Sequence, residues 1–76
     1  MGKELFLKLS NAMIEIEEGK TNKFFFKNGE PPMIGLIIED MDFEHEGQIF
    51  FYIWNSDEHE DYQLCEREIS HIIGLS

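Results

Sequence analysis

The sequence contains a single cysteine, Cys65, so no disulfide can form within the chain. This excludes the class of small secreted proteins that disulfides hold together. No apolar run reaches the length of a membrane-spanning helix. Lysines interrupt the apolar start of the chain, which argues against a signal peptide. We therefore expect a cytoplasmic protein, and a length of 76 residues predicts a single small domain over residues 1–76.

Positive charge is almost missing from the second part of the chain. Residues 31–76 contain one basic side chain, Arg67, against eleven acidic ones, whereas five lysines balance five glutamates in residues 1–30. The whole net charge of −10 therefore lies after residue 30. Such a surface repels nucleic acid and anionic membranes and attracts a basic protein partner. A purely solubilising role of the same charges is the alternative.

The motifs of common enzyme classes are also missing. The glycines are isolated, so no phosphate-binding loop is predicted, and no pair of carboxylates stands out among sixteen acidic residues. The acidic neighbours of Cys65 disfavour a thiolate, so we expect this side chain to pack in the interior. We predict that the protein is not an enzyme and holds no cofactor, and we keep a metal- or cysteine-dependent enzyme as a remote alternative.

Two Glu-His-Glu tripeptides, residues 44–46 and 58–60, have ligand types that bind divalent metals. They flank the segment 48–54, which we predict to be a strand. Seven strand residues separate the two tripeptides by roughly 23 Å. One chain cannot bring both to a common ion, so we predict solvated loops and no metal site.

Much of the sequence consists of short segments in which apolar and polar residues alternate. Residues 12–17 alternate as a strand does, whereas residues 4–9 fit either a strand or the start of an N-terminal helix. The triple phenylalanine within 23–27 predicts a further strand, which could pair with 12–17. The segment 69–75 allows a helical turn or a closing strand.

Residues 34–54 have the pattern of a β-hairpin with an acidic tip and an apolar base. Ile34, Leu36 and Ile38 share one face of the first arm. The apolar series then changes parity near residues 39–40, which predicts a one-residue β-bulge that keeps the apolar face inward, although a second series starting at Ile37 needs no bulge. Gly47 suits the turn. The return arm, 48–54, is apolar on both faces, so we expect both to be covered.

These segments predict a mainly β fold: a small single-domain barrel or sandwich of five to six short antiparallel strands. A bent acidic hairpin, a further strand, a short turn and a terminal closing strand follow one another, and this layout resembles a small SH3-like barrel in architecture. An α+β fold with an N-terminal helix is the alternative.

The most economical function is a non-enzymatic protein–protein interaction module that docks a basic partner surface, either as an inhibitor or as a nucleic-acid mimic. Phe50, Tyr52 and Trp54 form either part of the core or an apolar patch with an acidic rim. A structural homo-oligomer with a solvated acidic face is the alternative. We predict that the partner contacts the acidic hairpin, the following loop and two aromatic residues, namely Glu39, Asp40, Asp42, Glu44, Glu46, Trp54, Asp57, Glu58, Glu60, Asp61 and Tyr62.

Overall fold

The computed structural model describes residues 4–10, 12–38 and 42–75. Within these residues the chain is mainly β and contains one short 3-10 helix, Glu66–Glu68, between the last two strands. None of the described residues belongs to a helix with the length and apolar character needed to cross a membrane. The strands are, in chain order, β1 Glu4–Leu9, β2 Ala12–Glu17, β3 Thr21–Phe26, β4 Met33–Ile37, β5 Phe43–His45, β6 Gln48–Asn55, β7 Glu60–Cys65 and β8 Ile69–Gly74.

The strands form two antiparallel sheets. β1 and β2 form a separate two-stranded hairpin. In the six-stranded sheet, one edge of β6 pairs with β4 and β5, and the other edge pairs with β7. β3 lies between β4 and β8. The terminal segment is thus the closing strand, and it returns to β3.

The N-terminal segment is a hairpin, so the alternative of an N-terminal helix is wrong and the strand predicted for 12–17 is confirmed. Leu5 pairs with Ile16 and Leu7 with Ile14. The predicted pairing of 12–17 with 23–27 is also wrong, because β2 pairs with β1 instead. β1 buries its three leucines on one face, and two residues of β2 that lie opposite them, Ile14 and Ile16, pack against the same core, so packing favours this pair.

The turn between β5 and β6 is the tight one predicted at Gly47. Glu46 and Gly47 both have positive φ, 52° and 76°, and His45 pairs directly with Gln48. Two consecutive positive φ values are typical of the two-residue turns that match the twist of a hairpin.

The first arm of the central hairpin departs from the predicted face, and the predicted bulge near residues 39–40 lies outside the described residues. Between the pairs Ile37–Ile53 and Phe43–Phe50 the first arm has three more residues than β6, and 39–41 lie outside the described residues. Gly35 and Ile37 point inward, whereas Ile34 and Leu36 are 45% and 37% exposed. The parity is inverted because the buried Ile53 side chain occupies the space beside Gly35, where no larger residue fits.

The core lies between the N-terminal hairpin and the inner face of the six-stranded sheet. Phe24 and Phe51 meet there with ring centroids 5.6 Å apart. The two sheets are also joined by a buried carboxylate in the 3-10 helix. Glu66 accepts a hydrogen bond from the Lys8 N–H of β1 at 2.7 Å and another from the Ile49 N–H of β6 at 3.2 Å.

Candidate partner-binding site

The predicted site residues lie at two tips, one at each end of β6. Asp42, Glu44 and Glu46 precede β6, and the segment 57–61 follows it. Glu39 and Asp40 lie outside the described residues. The eight residues of β6 span roughly 23 Å, so the two acidic groups do not form one continuous patch. Whatever binds both must cover the length of this strand.

At the first tip, an aromatic pair supports the exposed acids. The rings of Phe43 and Phe50 stack with centroids 5.1 Å apart, although 44% of Phe43 is exposed. Nε2 of His45 lies 3.8 Å from a carboxylate oxygen of Glu46. Both side chains are largely exposed, so this contact contributes little to stability.

The second tip is held in place by Asn55, the last residue of β6. Its amide nitrogen donates to the Ile34 carbonyl at 3.2 Å, and its amide oxygen accepts from the Glu58 N–H at 2.9 Å. His59 then takes a positive φ of 52°, which turns the chain into β7. One side chain therefore fixes the turn against strand β4.

Tyr62 belongs to the inner side of the sheet, where its ring packs against the core. Its hydroxyl lies 2.7 Å from Oε2 of Glu58 and 3.0 Å from Oε2 of Glu60, and its single proton is donated to one carboxylate at a time. The bond to Glu58, followed by loss of hydration and the bond to Glu60, raises the pKa of the phenol above its usual range. These three predicted residues form one cluster.

Trp54 lies on the opposite, outer face of the sheet from Tyr62. It pairs with Leu36 on one side and with Asp61 on the other, and Leu36 pairs in turn with Thr21. Directly paired residues of antiparallel strands share a face. A row of four side chains, Thr21, Leu36, Trp54 and Asp61, therefore crosses the outer face from β3 to β7. Only part of the predicted site, Trp54 with the two aspartates Asp57 and Asp61, belongs to this face.

Phe50, Tyr52 and Trp54 are half-buried, so the return strand is fully covered only on its inner face, where Phe51 and Ile53 are 1% and 0% exposed. Within this chain the outer face of the return strand is therefore only partly covered. Exposed apolar side chains of neighbouring strands extend the same outer face, including Ile34 and Ile73, which is 47% exposed.

A groove with a cavity volume of about 200 Å³ opens beside Trp54. Its apolar lining comes from two adjacent strands and consists of Ile34, Gly35, Leu36 and Trp54. Its polar lining comes from β3 and the tip after β6 and consists of Thr21, Asn55, Ser56 and Asp57. The groove is thus apolar on one side and carries a carboxylate at the other.

Two polar groups of the groove are available to a ligand. Neither the Asp57 carboxylate nor the indole N–H of Trp54 has a hydrogen-bond or ion-pair partner among the described residues. The His59 ring lies against the edge of the indole, with centroids 6.0 Å apart. Further along the outer face, Nζ of Lys23 lies 5.3 Å from the centroid of the Phe25 ring.

The candidates for metal and cysteine chemistry lie apart from this groove. Cys65 is buried, and its backbone N–H contacts a carboxylate oxygen of Glu68 at 3.4 Å. Among residues 4–10, 12–38 and 42–75, no three histidine, cysteine or acidic side chains are grouped so that they could hold a metal ion.

The sequence interpretation missed Ile34, Gly35, Leu36 and Asn55 as parts of the site. A glycine within an apolar strand was the available signal, because it marks a close approach of two chains. Scans against protein-family models and searches of curated proteins and solved structures found no match.

Proposed function

We propose that this chain is a small acidic, non-enzymatic interaction module that docks a basic protein surface on the outer face of its six-stranded sheet. The observation that carries the proposal is the groove beside Trp54, where an apolar floor meets an unpaired carboxylate at Asp57. An aromatic anchor in a concave, partly desolvated site with a polar rim is the usual centre of a protein–protein interface.

The apolar part of the surface supports contact with protein rather than with solvent alone. Ile34, Leu36 and Ile73 are between 37% and 47% exposed on the same side of the sheet as Trp54. Exposed apolar side chains on one face of a chain this acidic support a role for that face in contact with protein. The two acidic tips lie beyond its ends and provide the charged rim.

The charge distribution supports a basic partner. Residues 31–76 carry the whole net charge of −10, and they supply every residue of the two acidic tips. Opposite charge on the partner accelerates association and excludes acidic competitors. The carboxylates are grouped at two ends with an apolar face between them, which favours docking of a folded basic surface over imitation of an evenly spaced phosphate backbone.

The scaffold of this module is the SH3-like small barrel expected from the sequence. The 3-10 helix Glu66–Glu68 before the last strand and the return of β8 to β3 support this assignment. In such a scaffold the strands are rigid and the connections between them present the contact residues. The fixed turn after Asn55 fits that division.

The test starts with full-length tagged protein and a lysate of the source organism, washed at low and then moderate salt, with mass spectrometry of the bound proteins. The captured partner is then titrated against three variants: Trp54→Ala, Asp57→Asn/Asp61→Asn, and Glu44→Gln/Glu46→Gln as a matched change of charge at the other tip. We expect a basic partner, an affinity that falls with salt, and a loss of at least about thirtyfold for Trp54→Ala, because an interface hot spot contributes about 2 kcal/mol or more.

The two charge variants separate local contact from long-range attraction. Asp57→Asn/Asp61→Asn should accelerate dissociation, whereas Glu44→Gln/Glu46→Gln should mainly slow association. Failure to capture a basic protein at low salt, or equal affinity for all three variants, would contradict the proposal.

Self-association is the second candidate function, and the edge strand β8 favours it. Among the described residues β8 pairs only with β3, and the segment 69–75 contains no acidic or basic residue other than His71. An uncharged edge strand is a template for pairing with a second copy. Light scattering decides this candidate: a monomer mass that does not change with concentration removes it.

A further inference from the structure

We propose that the groove beside Trp54 binds one arginine side chain of the partner, with the guanidinium group against the indole ring and the Asp57 carboxylate. This inference rests on the proposed function and names the chemical group that the groove recognises. It concerns a single side-chain contact, so it can be tested without the partner itself.

The shape and lining of the groove suit a long side chain with a polar end. Its volume of about 200 Å³ accommodates one large side chain and not a folded segment. Ile34 and Leu36 provide apolar contact for an aliphatic stem, and Gly35 lies between them in the lining of the groove. Long cationic side chains bury their stems in this way and keep the charged group at the polar end.

The polar groups select arginine over other side chains. A guanidinium group is planar, stacks on aromatic rings and donates to a carboxylate through two parallel N–H groups. Trp54 is the aromatic residue on which cations bind best, and Asp57 has no competing partner among the described residues. Lys23, which lies on the same face, has its Nζ over the ring of Phe25.

Trp54 is the only tryptophan in the chain, so its indole N–H gives a single, unambiguous signal in a ¹H–¹⁵N NMR spectrum. The probe is the peptide acetyl-Gly-Arg-Gly-amide, titrated into the ¹⁵N-labelled full chain. The control is the same peptide with citrulline, which has the shape of arginine without the charge. We expect a saturable shift of the indole signal with arginine and binding weaker by about tenfold with citrulline.

Two variants locate the charge that is recognised. Asp57→Asn should weaken arginine binding by about tenfold, because a charge-assisted contact in a partly desolvated groove is lost. Glu44→Gln removes the same charge from a residue that pairs with Ile49, five residues before Trp54. At the rise of a strand this is roughly 17 Å away, beyond the screening length of about 10 Å at 0.1 M salt, so binding should be unchanged. The amide spectrum of each variant verifies that it is folded.

Equal binding of the citrulline peptide, equal effects of the two variants, or no shift with arginine would overturn the assignment of the groove. The proposed function would survive such a result if the basic partner still binds, because the acidic tips could hold it. Conversely, arginine binding without any captured partner would leave the groove assigned and remove the proposed function.

Discussion

Removing the charge of Glu66 should loosen the attachment of the N-terminal hairpin to the six-stranded sheet. This carboxylate is only 4% exposed and accepts one backbone N–H from each sheet, Lys8 at 2.7 Å and Ile49 at 3.2 Å. A hydrogen bond to a charged group contributes about 1.5–3 kcal/mol. In Glu66→Gln one acceptor becomes a donor that faces an N–H group, so we expect a loss of about 2 kcal/mol.

That loss is large for a chain of this size. A typical stability of about 0.05–0.15 kcal/mol per residue gives about 4–11 kcal/mol for 76 residues. The melting temperature should fall by about 8–16 °C, since 1 kcal/mol corresponds to about 4–8 °C in a small domain. Glu66→Ala leaves both N–H groups without an acceptor and should cost more, about 3–6 kcal/mol.

Urea denaturation followed by Trp54 fluorescence measures the free energy of unfolding. The matched control is Glu68→Gln, which removes the same charge from the same 3-10 helix, where the side chain is exposed and its contact to the Cys65 N–H is 3.4 Å long. We expect that control to cost less than about 1 kcal/mol. Equal costs for the two variants would refute the idea that Glu66 joins the sheets.

Two further predictions concern the fold. Gly35→Ala should destabilise by about 1–3 kcal/mol, because the new Cβ would lie 2.6 Å from Cδ1, 2.8 Å from Cβ and 2.9 Å from Cγ1 of Ile53. The cost should shrink in an Ile53→Ala background, which removes two of these three atoms; additive costs in urea denaturation would contradict the clash. A hydrogen bond to Glu4, and repulsion from the Glu4 carboxylate, raise the pKa of Glu15. The folded protein is therefore more stable when the Glu15 carboxyl group is protonated than when it is ionised. That benefit is complete below the ordinary pKa of 4.5 and is lost as the pH rises through the raised value in the folded protein, so Glu15→Gln should raise the melting temperature at pH 7 and not at pH 3; an equal rise at both pH values would contradict it.

The mainly β fold could be predicted because its signals are local. Alternation in residues 12–17 requires only the polarity of neighbouring residues, and the Glu46–Gly47 turn requires only residues that tolerate positive φ. The pairing of β2 with β1 could not be predicted from such local signals. Either of two strands has the parity to pair with 12–17, and packing against the sheet decides between them.

The site was harder to predict because it depends on which face of each strand is covered. Ile34 and Leu36 have the composition of core residues, yet Gly35 takes the inward position because it leaves room for Ile53. That exchange exposes two apolar side chains next to Trp54 and so creates the groove. Likewise, nothing in the sequence distinguishes Glu66 from the other acidic residues, sixteen in all. Only the structure shows the two backbone N–H groups that donate to it.

The carboxylates that attract a basic partner also oppose a second copy of the chain, and this separates the two candidate functions. Two chains that each carry a net charge of −10 repel one another. Added salt shortens the screening length and so weakens this repulsion. A basic partner experiences the opposite sign of interaction under the same screening. Added salt should therefore release the partner and promote self-association, so the salt dependence of the association identifies which of the two occurs.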